Sequence, residues 1–401
     1  MKREAPVRWP AIAALTAVST FAQIGQFGMG FVVLPIWLAH QGLDAPRAGL
    51  FSAAQWAGML IGLLVTPELA ARFGAKRIVS AGLAATLVAY ASVGIVWWPL
   101  WIAPGMLMGF GIGLRWIANE TWLYRLVPDN ASGRVVGVHE TLIATSGVIA
   151  PGLAAWFGVD PHLILATGAA FTLAAAVPLW LTASGDHERM PMPTKPVRGP
   201  SPSSLRGLSL GAIVGLGMAV IAVGGLGDGA LYGLFPLYAA ARGLDATQTA
   251  TVLTLFGIGS MALQWPVGWL ADRAGLAIAV LVCATLSASS VLAFGFSMQA
   301  SLSMNACALL LGGMNSAFIT LGMVAAARSE AAVLARNMRL LSLTFTASSI
   351  VGPLCAGAAM KAAGSDMLIW QLATASAVLA VFTLGLCAGR RQGGANRQSA
   401  P

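Results

Sequence analysis

Long apolar runs alternate with short polar segments along the whole chain. A helix needs roughly 20 apolar residues to cross a bilayer, and most of these runs are at least that long. They lack the two-residue alternation of barrel strands, and helices are then the structure that satisfies the backbone in lipid. The pattern predicts twelve membrane-spanning helices, at 9–38, 46–66, 78–98, 100–124, 135–157, 161–183, 207–240, 247–267, 277–297, 299–326, 336–360 and 366–388.

One polar segment between the sixth and seventh runs differs from the other connections. Residues 184–206 are rich in proline, serine and charged side chains, which is typical of a flexible linker. We therefore predict an all-α, polytopic membrane protein in which two pseudo-symmetric six-helix bundles, residues 1–183 and 207–401, are joined by this linker. A short tail is expected after the last span.

The two halves carry the same residues at a fixed spacing. The matched pairs, each 201 residues apart, are Pro35 and Pro236, Gly42 and Gly243, Asp44 and Asp245, Arg72 and Arg273, and Gly74 and Gly275. Separated matches at one offset indicate an internal duplication. Two parallel six-helix repeats are typical of one class of secondary transporter.

The charged residues are few, and they sort by side of the membrane. Only 9% of residues are charged, against about 25% in a soluble domain. Alternate connections hold 19 and 3 of the Lys and Arg residues, and the richer set includes both termini. The positive-inside rule then places both termini in the cytoplasm. The net charge of +9 therefore reflects topology, and we expect no nucleic-acid partner.

The sequence offers no signal for enzymatic or metal chemistry. The four cysteines lie inside apolar runs and show no zinc spacing. There is no GxxxxGK[ST] phosphate loop, so ATP is not the expected energy source. We predict no catalytic residues, no cofactor and no metal site.

Two related segments follow the second span of each half. They read Gly268-Trp-Leu-Ala-Asp272-Arg273-Ala-Gly275 and Pro67-Glu-Leu-Ala-Ala71-Arg72-Phe-Gly74-Ala-Lys76-Arg77. These segments resemble the G-x-L-a-D-R-x-G loop of the major facilitator superfamily, a resemblance that extends over the whole chain. The resemblance implies a gating loop in each half, built by Arg72, Gly74, Lys76 and Arg77 and by Gly268, Asp272, Arg273 and Gly275. Pro67 and Ala71 depart from the motif, so the second copy is expected to carry more of the gate.

The fifth span and its repeat are rich in small residues and proline. The predicted helix seam consists of Gly137, Ser146, Pro151, Gly352 and Pro353. Small residues let helices approach closely in lipid, which suits either a seam on which the halves rock or ordinary tight packing. Gly105 stands where drug–proton antiporters of the family carry an arginine. Several segments, among them QWPVGWLADRAG, resemble the bacterial YcaD-type branch, which brings no substrate with it.

Two carboxylates within spans need an explanation. An ionisable group in a span costs roughly 2.5–3.5 kcal/mol on insertion scales, so it is a functional hypothesis by default. Asp228 lies among glycines in the seventh span, and Glu120 lies in the fourth. Both are candidates for proton coupling. For Asp228, the alternatives are a helix cap or an ion pair with an arginine that has no role in transport. For Glu120, the alternative is a structural pair with His139 or Arg134.

Polar and aromatic residues within the spans are candidates for lining a solute cavity. Helix-to-helix hydrogen bonds and interfacial anchoring are the alternatives. The cavity candidates are Gln23, Gln26, Gln55, Trp56, Arg115, Asn119, Tyr232 and Gln264.

These features predict a secondary active transporter of the bacterial inner membrane that works by alternating access, as a monomer. Its expected partners are the lipid bilayer, a small-molecule solute and protons. The first hypothesis is proton-coupled efflux of small amphipathic compounds. The second is proton-linked uptake of a small polar metabolite, and the third is a membrane receptor or regulator that keeps the fold without transport.

Overall fold

A computed structural model describes residues 8–127, 132–182, 210–297, 302–327 and 331–398. The predicted linker at 184–206 lies outside the described residues. Within these ranges the chain is helical and contains no strand, which confirms the all-α prediction. By length and composition, ten of the described spans are apolar enough to cross a membrane. Spans 3 and 4 are less apolar because they contain charged residues.

The first span has three parts: α1 (Trp9–Ala22), a π-helical segment (Gln23–Val33) and α2 (Leu34–Ala39). The later helices are α3 (Ala45–Phe73), α4 (Ala75–Val93), α5 (Ile102–Leu126), α6 (Ser132–Ala144), α7 (Ser146–Phe157), α8 (Pro161–Leu181), α9 (Leu210–Ala241), α10 (Ala246–Ala274), α11 (Leu276–Phe296), α12 (Leu302–Ala327), α13 (Ala331–Ala363) and α14 (Met367–Gln398). Because α6 and α7 together form span 5, these helices correspond to the twelve predicted spans.

Several predicted helix ends were wrong. Spans 2 and 8 continue to Phe73 and Ala274, through the segments predicted as loops, and span 12 continues to Gln398. The predicted ends followed the loss of hydrophobicity, whereas the helices of spans 2 and 8 end where the backbone turns. Gly74 and Gly275 adopt φ of 86° and 90°, a conformation that favours glycine and stops a helix.

Span 5 is broken between α6 and α7, which the sequence analysis did not predict. The break lies at Thr145, whose Oγ1 donates to the Leu142 carbonyl at 2.5 Å. A side-chain hydroxyl that bonds back to the preceding turn competes with the regular backbone bonds of a helix, which fits an interruption at this residue.

The internal duplication is visible in the turns that follow spans 1 and 7. Gly42 and Gly243 adopt φ of 77° and 78°. Asp44 and Asp245 then cap the next helices, and their carboxylates accept from the backbone N–H groups of Arg47 at 3.1 Å and Gln248 at 2.7 Å. An aspartate cap satisfies a backbone donor at a helix start, so both repeats begin their second helix by the same device.

Within each half, glycines bring the second and fourth spans into backbone contact. A Cβ added at Gly109 would lie 1.8 Å from the Gln55 carbonyl oxygen, where span 4 crosses span 2. A Cβ at Gly259 would lie 1.8 Å from the Leu309 carbonyl oxygen, where span 8 crosses span 10. Small residues at such crossings allow close packing without a hydrophobic driving force.

The two halves meet through spans 2 and 11 and through spans 5 and 8. We call the end of the bundle that carries Asp44 and Asp245 the Asp44 end, and the end that carries Gly74 and Gly275 the Gly74 end. Near the Asp44 end, a Cβ at Gly49 would lie 2.3 Å from the Pro353 carbonyl oxygen. The Ser52 hydroxyl donates to the Gly229 carbonyl at 3.2 Å, which also joins span 2 to span 7.

Candidate functional site

The π-helical segment of span 1 lies at the centre of the N-terminal half. Its glycines pack against three neighbouring spans: Gly25 against Thr172, Gly28 against Ala150, and Gly30 against Met108. A π-helix of eleven residues is rare, and π segments occur frequently at functional sites. The segment presents Gln23 and Gln26 toward span 4.

Arg115 of span 4 is completely buried against these two glutamines. Its Nε donates to Gln26 Oε1 at 3.0 Å, and its Nη2 donates to Gln23 Oε1 at 2.7 Å. Gln26 is held in turn by a bond from its Nε2 to Thr86 Oγ1 of span 3, at 2.7 Å. Arg115 Nη1 has no hydrogen-bond partner among the described residues. The structure thus brings together three of the predicted cavity residues.

A second polar cluster lies one to two turns further along span 4. His139 Nε2 approaches both carboxylate oxygens of Glu120, at 2.7 and 2.9 Å, and His139 is fully buried. The Ser19 hydroxyl also donates to Glu120, at 2.9 Å. Of the two predicted partners of Glu120, the structure shows His139, and the side chain of Arg134 lies outside the described residues.

Asn119 joins this cluster from the adjacent position. Its Nδ2 donates to Ser19 Oγ at 2.8 Å and to the Leu15 carbonyl at 2.9 Å, which attaches span 4 to span 1. Glu140, a residue not singled out in the sequence, accepts from the Tyr124 hydroxyl at 3.0 Å. Glu120, His139 and Glu140 offer ligand atoms within 4.8 Å of one another. The sequence signal that could have found Glu140 is its place next to His139.

Asp228 is a buried carboxylate in the C-terminal half. It is 8% exposed in span 7, and its Oδ1 accepts from Nδ2 of Asn315 in span 10. Among the described residues, no cation lies within ion-pair distance of it. Asn315 was not predicted, because an asparagine in an apolar run has no spacing that marks it.

An aromatic cluster joins the halves at mid-height. We use this name for Phe27, Phe31, Trp56, Tyr232 and Phe345. The Phe27 ring meets the Tyr232 ring edge-on at 5.8 Å, and the Trp56 ring meets the Phe345 ring at 5.8 Å. Edge-to-face pairs of this kind favour a fixed arrangement, so the cluster closes the space between the halves toward the Asp44 end.

The remaining predicted cavity residues occupy different surroundings. Gln55 is buried and donates from Nε2 to the Gly30 carbonyl at 2.9 Å, so it binds span 2 to span 1. Trp56 is buried in the aromatic cluster, and its Nε1 has no hydrogen-bond partner in the described part of the chain. Gln264 is exposed on span 8 and lies apart from the other candidates.

The predicted seam is present in part. Ser146 and Pro151 are buried in span 5, and the adjacent Gly147 contacts span 8. Gly352 packs against the backbone of Leu226 within the C-terminal half, whereas Pro353 contacts Gly49 across the halves. Gly137 is exposed, and a Cβ there would meet no atom within 4 Å among the described residues. Gly137 is therefore not part of the contact.

The first predicted gating segment is a helix end that is fixed to a neighbouring span. Arg72 pairs with Glu68 one turn earlier, and both side chains are well exposed. Lys76 Nζ donates to the Thr182 carbonyl at 2.6 Å and to the Trp180 carbonyl at 3.3 Å. Lysine bonds to the last carbonyls of a helix are favourable, so Lys76 holds the end of span 6. Arg77 is exposed.

The second gating segment has a different set of contacts. Gly268 to Arg273 are helical, and the Arg273 guanidinium lies 5.0 Å from the centre of the Trp269 ring. Asp272 is exposed, and no hydrogen bond or ion pair joins it to another described residue. The gating role of these residues stays a prediction.

The fold and the buried polar groups define a class: a polytopic helical bundle of two halves, each with buried polar groups inside its spans. The chain matches the model of the Major Facilitator Superfamily over residues 16–221 and 217–399. It therefore belongs to this family and is a membrane transporter, not an enzyme.

Curated relatives agree with this assignment. An uncharacterized MFS-type transporter of Enterobacter sp. (strain 638) is 25% identical over 363 residues, which cover 88% of this chain and 90% of the relative. The uncharacterized MFS-type transporter YcaD of Escherichia fergusonii is 24% identical over 358 residues, with the same coverage. These matches confirm the resemblance to the YcaD-type branch.

Solved structures share the fold. The nucleoside transporter NupG superposes with a TM-score of 0.73 at 13% identity, covering 94% of this chain and 98% of that one. A bacterial homologue of the human lysosomal transporter Spinster, in an inward-facing and unoccupied conformation, superposes with a TM-score of 0.64 at 16% identity, covering 95% of both chains.

Proposed function

We propose that the protein is a proton-coupled secondary active transporter of the inner membrane, with Asp228 as the proton-binding group. A carboxylate in a low-dielectric site is stable when it is protonated or paired with a cation. The partner of Asp228 is the neutral amide of Asn315, so proton uptake is a direct way for it to lose its charge.

The alternating-access part of the proposal rests on the contacts between halves. These contacts lie near the Asp44 end and at mid-height, through Gly49, Ser52 and the aromatic cluster. If the basic connections are cytoplasmic, the Asp44 end is the outer end, and the structure corresponds to an inward-facing state. The transport cycle would then break these contacts and close the Gly74 end.

Two solute classes are supported by different observations. The aromatic cluster supports small amphipathic compounds, the class proposed for efflux, because its rings offer a large apolar contact surface. The buried Arg115, with Gln23 and Gln26, favours uptake of a small polar metabolite, because fixed donors select polar groups. We place the amphipathic class first. A receptor or regulator without transport is the remaining alternative.

The test is proton movement in proteoliposomes, followed by a pH indicator trapped inside the vesicles, together with solute accumulation. Ethidium and 1-naphthoate serve as amphipathic compounds, and lactate and succinate serve as polar metabolites. A transported compound should change the internal pH in the wild type and accumulate according to the imposed pH difference, and the direction of solute movement separates uptake from efflux. Asp228→Asn, which mimics the protonated carboxyl, should bind the compound and lose gradient-driven accumulation.

Asp160→Asn is the matched control, because it changes a carboxylate that caps the start of span 6 at the surface. Asparagine is an equally good cap, so this variant should transport normally. Unchanged gradient-driven accumulation in Asp228→Asn would remove Asp228 from the coupling mechanism. A wild type that binds one of these compounds but moves neither that compound nor protons would favour the receptor alternative.

A further inference from the structure

The surroundings of Arg115 do not match its charge. Its two hydrogen-bonded partners are the neutral amides of Gln23 and Gln26, at 2.7 and 3.0 Å. Arginine at the centre of a bilayer is expensive and marks pathways of solutes or ions by default. A guanidinium carries five N–H donors in a planar fork that suits a carboxylate or phosphate, and neutral amides use only part of that capacity.

The carboxylate closest in sequence is already engaged elsewhere. Glu120 interacts with His139 through both oxygens and accepts from Ser19, and no ion pair within 4 Å joins it to Arg115 in the described residues. Its field acts on Arg115 through space. Arg115 Nη1 is buried and has no hydrogen-bond partner among the described residues, and the charge of Glu120 does not supply one.

Gln23 is the more accessible of the two glutamines that bind Arg115. Its side chain is partly exposed, whereas Arg115 and Gln26 are fully buried. Rotation of Gln23 would release Nη2, and a ligand with two oxygens could then bind both ends of the guanidinium fork. Gln26 would hold Nε throughout, because Thr86 fixes its amide group.

The aromatic cluster begins one turn away on the same segment. Phe27 follows Gln23 by four residues in the π-helix, in which a turn is longer than in an α-helix. Phe27 is partly exposed and contacts Phe31, Trp56 and Tyr232. An anionic group at Arg115 would therefore have aromatic rings next to it, able to bind an apolar body.

We propose that Arg115 is the binding site for the acidic group of the solute, and that the solute is an organic anion with an aromatic or otherwise apolar body. This inference deepens the proposed transport function and rests on it for its physiological meaning. The carboxylate or an equivalent oxyanion accepts from Nη1 and, once Gln23 has rotated, from Nη2. The cluster around Phe27 packs against the body of the solute.

Equilibrium binding to the purified full-length protein tests the proposal without any proton gradient. The probes are 1-naphthoate, 1-naphthamide and 1-naphthylmethylammonium, which share one ring system and differ in head-group charge. Thermal-shift titrations in detergent should show that the wild type binds naphthoate at least tenfold more tightly than the amide. A hydrogen bond to a charged group contributes about 1.5–3 kcal/mol, which is roughly a tenfold to hundredfold change in affinity.

Three variants of the site and one control variant separate binding from folding. Arg115→Gln should bind naphthoate no better than the amide, and Arg47→Gln, which removes a half-exposed arginine at the Asp44 end, should bind it as the wild type does. Arg115→Lys keeps the charge but not the fork, so a preference for naphthoate should remain and be weaker. Gln23→Ala uncovers the guanidinium and should bind naphthoate at least as tightly as the wild type. If Arg115→Gln fails to fold, these last two variants decide.

The proposal is overturned if the wild type binds the amide or the ammonium probe as tightly as naphthoate, or binds none of the three. It is also overturned if Arg115→Gln keeps the preference for naphthoate, or if Gln23→Ala loses it. Asp228→Asn should retain naphthoate binding, because Asp228 lies in the other half. A wild type that binds naphthoate but shows no proton-linked transport would therefore contradict the proposed function alone, and proton-linked transport without a preference for naphthoate over the amide would contradict the Arg115 site alone.

Discussion

The contact between Gly147 of span 5 and Gly257 of span 8 offers a direct way to shift the conformation. A Cβ added at Gly257 would lie 2.0 Å from the Gly147 carbonyl oxygen and 2.4 Å from its carbon. Carbon and oxygen atoms in close helix contacts stay at about 3.3 Å or more, so Gly257→Ala requires the two spans to separate by about 1.3 Å. Backbone atoms cannot rotate away as a flexible side chain could.

The expected cost of this overlap can be converted into a population change. Overpacking of a well-packed contact costs typically 1–3 kcal/mol. Under the proposed alternating access the contact would exist only while the halves touch near the Asp44 end, so the cost would fall on this conformation and not on the one that opens there. The ratio of the two conformations should change by about 5-fold to 150-fold in favour of the opened one.

Spin labels at Gln41 and Ala241, which are exposed on opposite halves at the Asp44 end, report this change. The labels are placed in a chain whose four native cysteines are replaced, and distances are measured by double electron–electron resonance. Gly257→Ala should add a population at longer distance.

The matched control lies in the same contact. A Cβ at Gly147 would meet its nearest atom, the Gly257 Cα, at an ordinary 3.5 Å, so Gly147→Ala should leave the distance distribution unchanged. A wild-type distribution in Gly257→Ala would refute the reasoning, and so would an equal shift in both variants.

Two more expectations concern the second polar cluster and the topology. Glu120→Gln should lower the stability by about 1 kcal/mol, since charge-assisted bonds from His139 and Ser19 become neutral ones, and should leave proton-linked transport intact. Thermal unfolding and the proteoliposome transport assay check this together, and lost proton-linked transport at unchanged stability would make Glu120 a coupling group. Reporter fusions at Arg198 and Arg397 should be cytoplasmic and one at Gly243 external, and an external signal at Arg397 would contradict the assigned orientation.

The architecture could be predicted because it depends on features that repeat along the chain. Apolar run length fixes the number of spans in lipid, and the equivalent turns at Gly42 and Gly243 follow from equal local sequences. Helix ends were harder to predict, because hydrophobicity falls before the helices of spans 2 and 8 end. The positive φ of Gly74 and Gly275, and not polarity, sets those ends.

The site could be predicted only as a set of candidates. Charged residues inside spans are visible in a sequence, which is how Asp228, Glu120 and Arg115 were found. Their partners are residues from distant spans, such as Asn315, whose type alone carries no signal. The π-helical segment was also missed, because its glycines are equally compatible with an α-helix until the neighbouring spans are in place.

The placement of the charged groups suggests how binding and conformation can depend on each other. Arg115 belongs to the N-terminal half and Asp228 to the C-terminal half, and neither has an oppositely charged group within ion-pair distance among the described residues. One connection between them runs through Phe27 and Tyr232, whose rings meet edge-on at 5.8 Å. Gln23 precedes Phe27 by about one turn, and Asp228 precedes Tyr232 by about one turn.

Under the two proposals, a solute that binds Arg115 and packs against Phe27 would alter this ring contact. The same contact would be lost if the halves separated near the Asp44 end. Solute binding, the position of Asp228 and the choice of conformation would then be linked through one pair of rings, and a coupling energy of a few kcal/mol between the two sites would require no longer pathway.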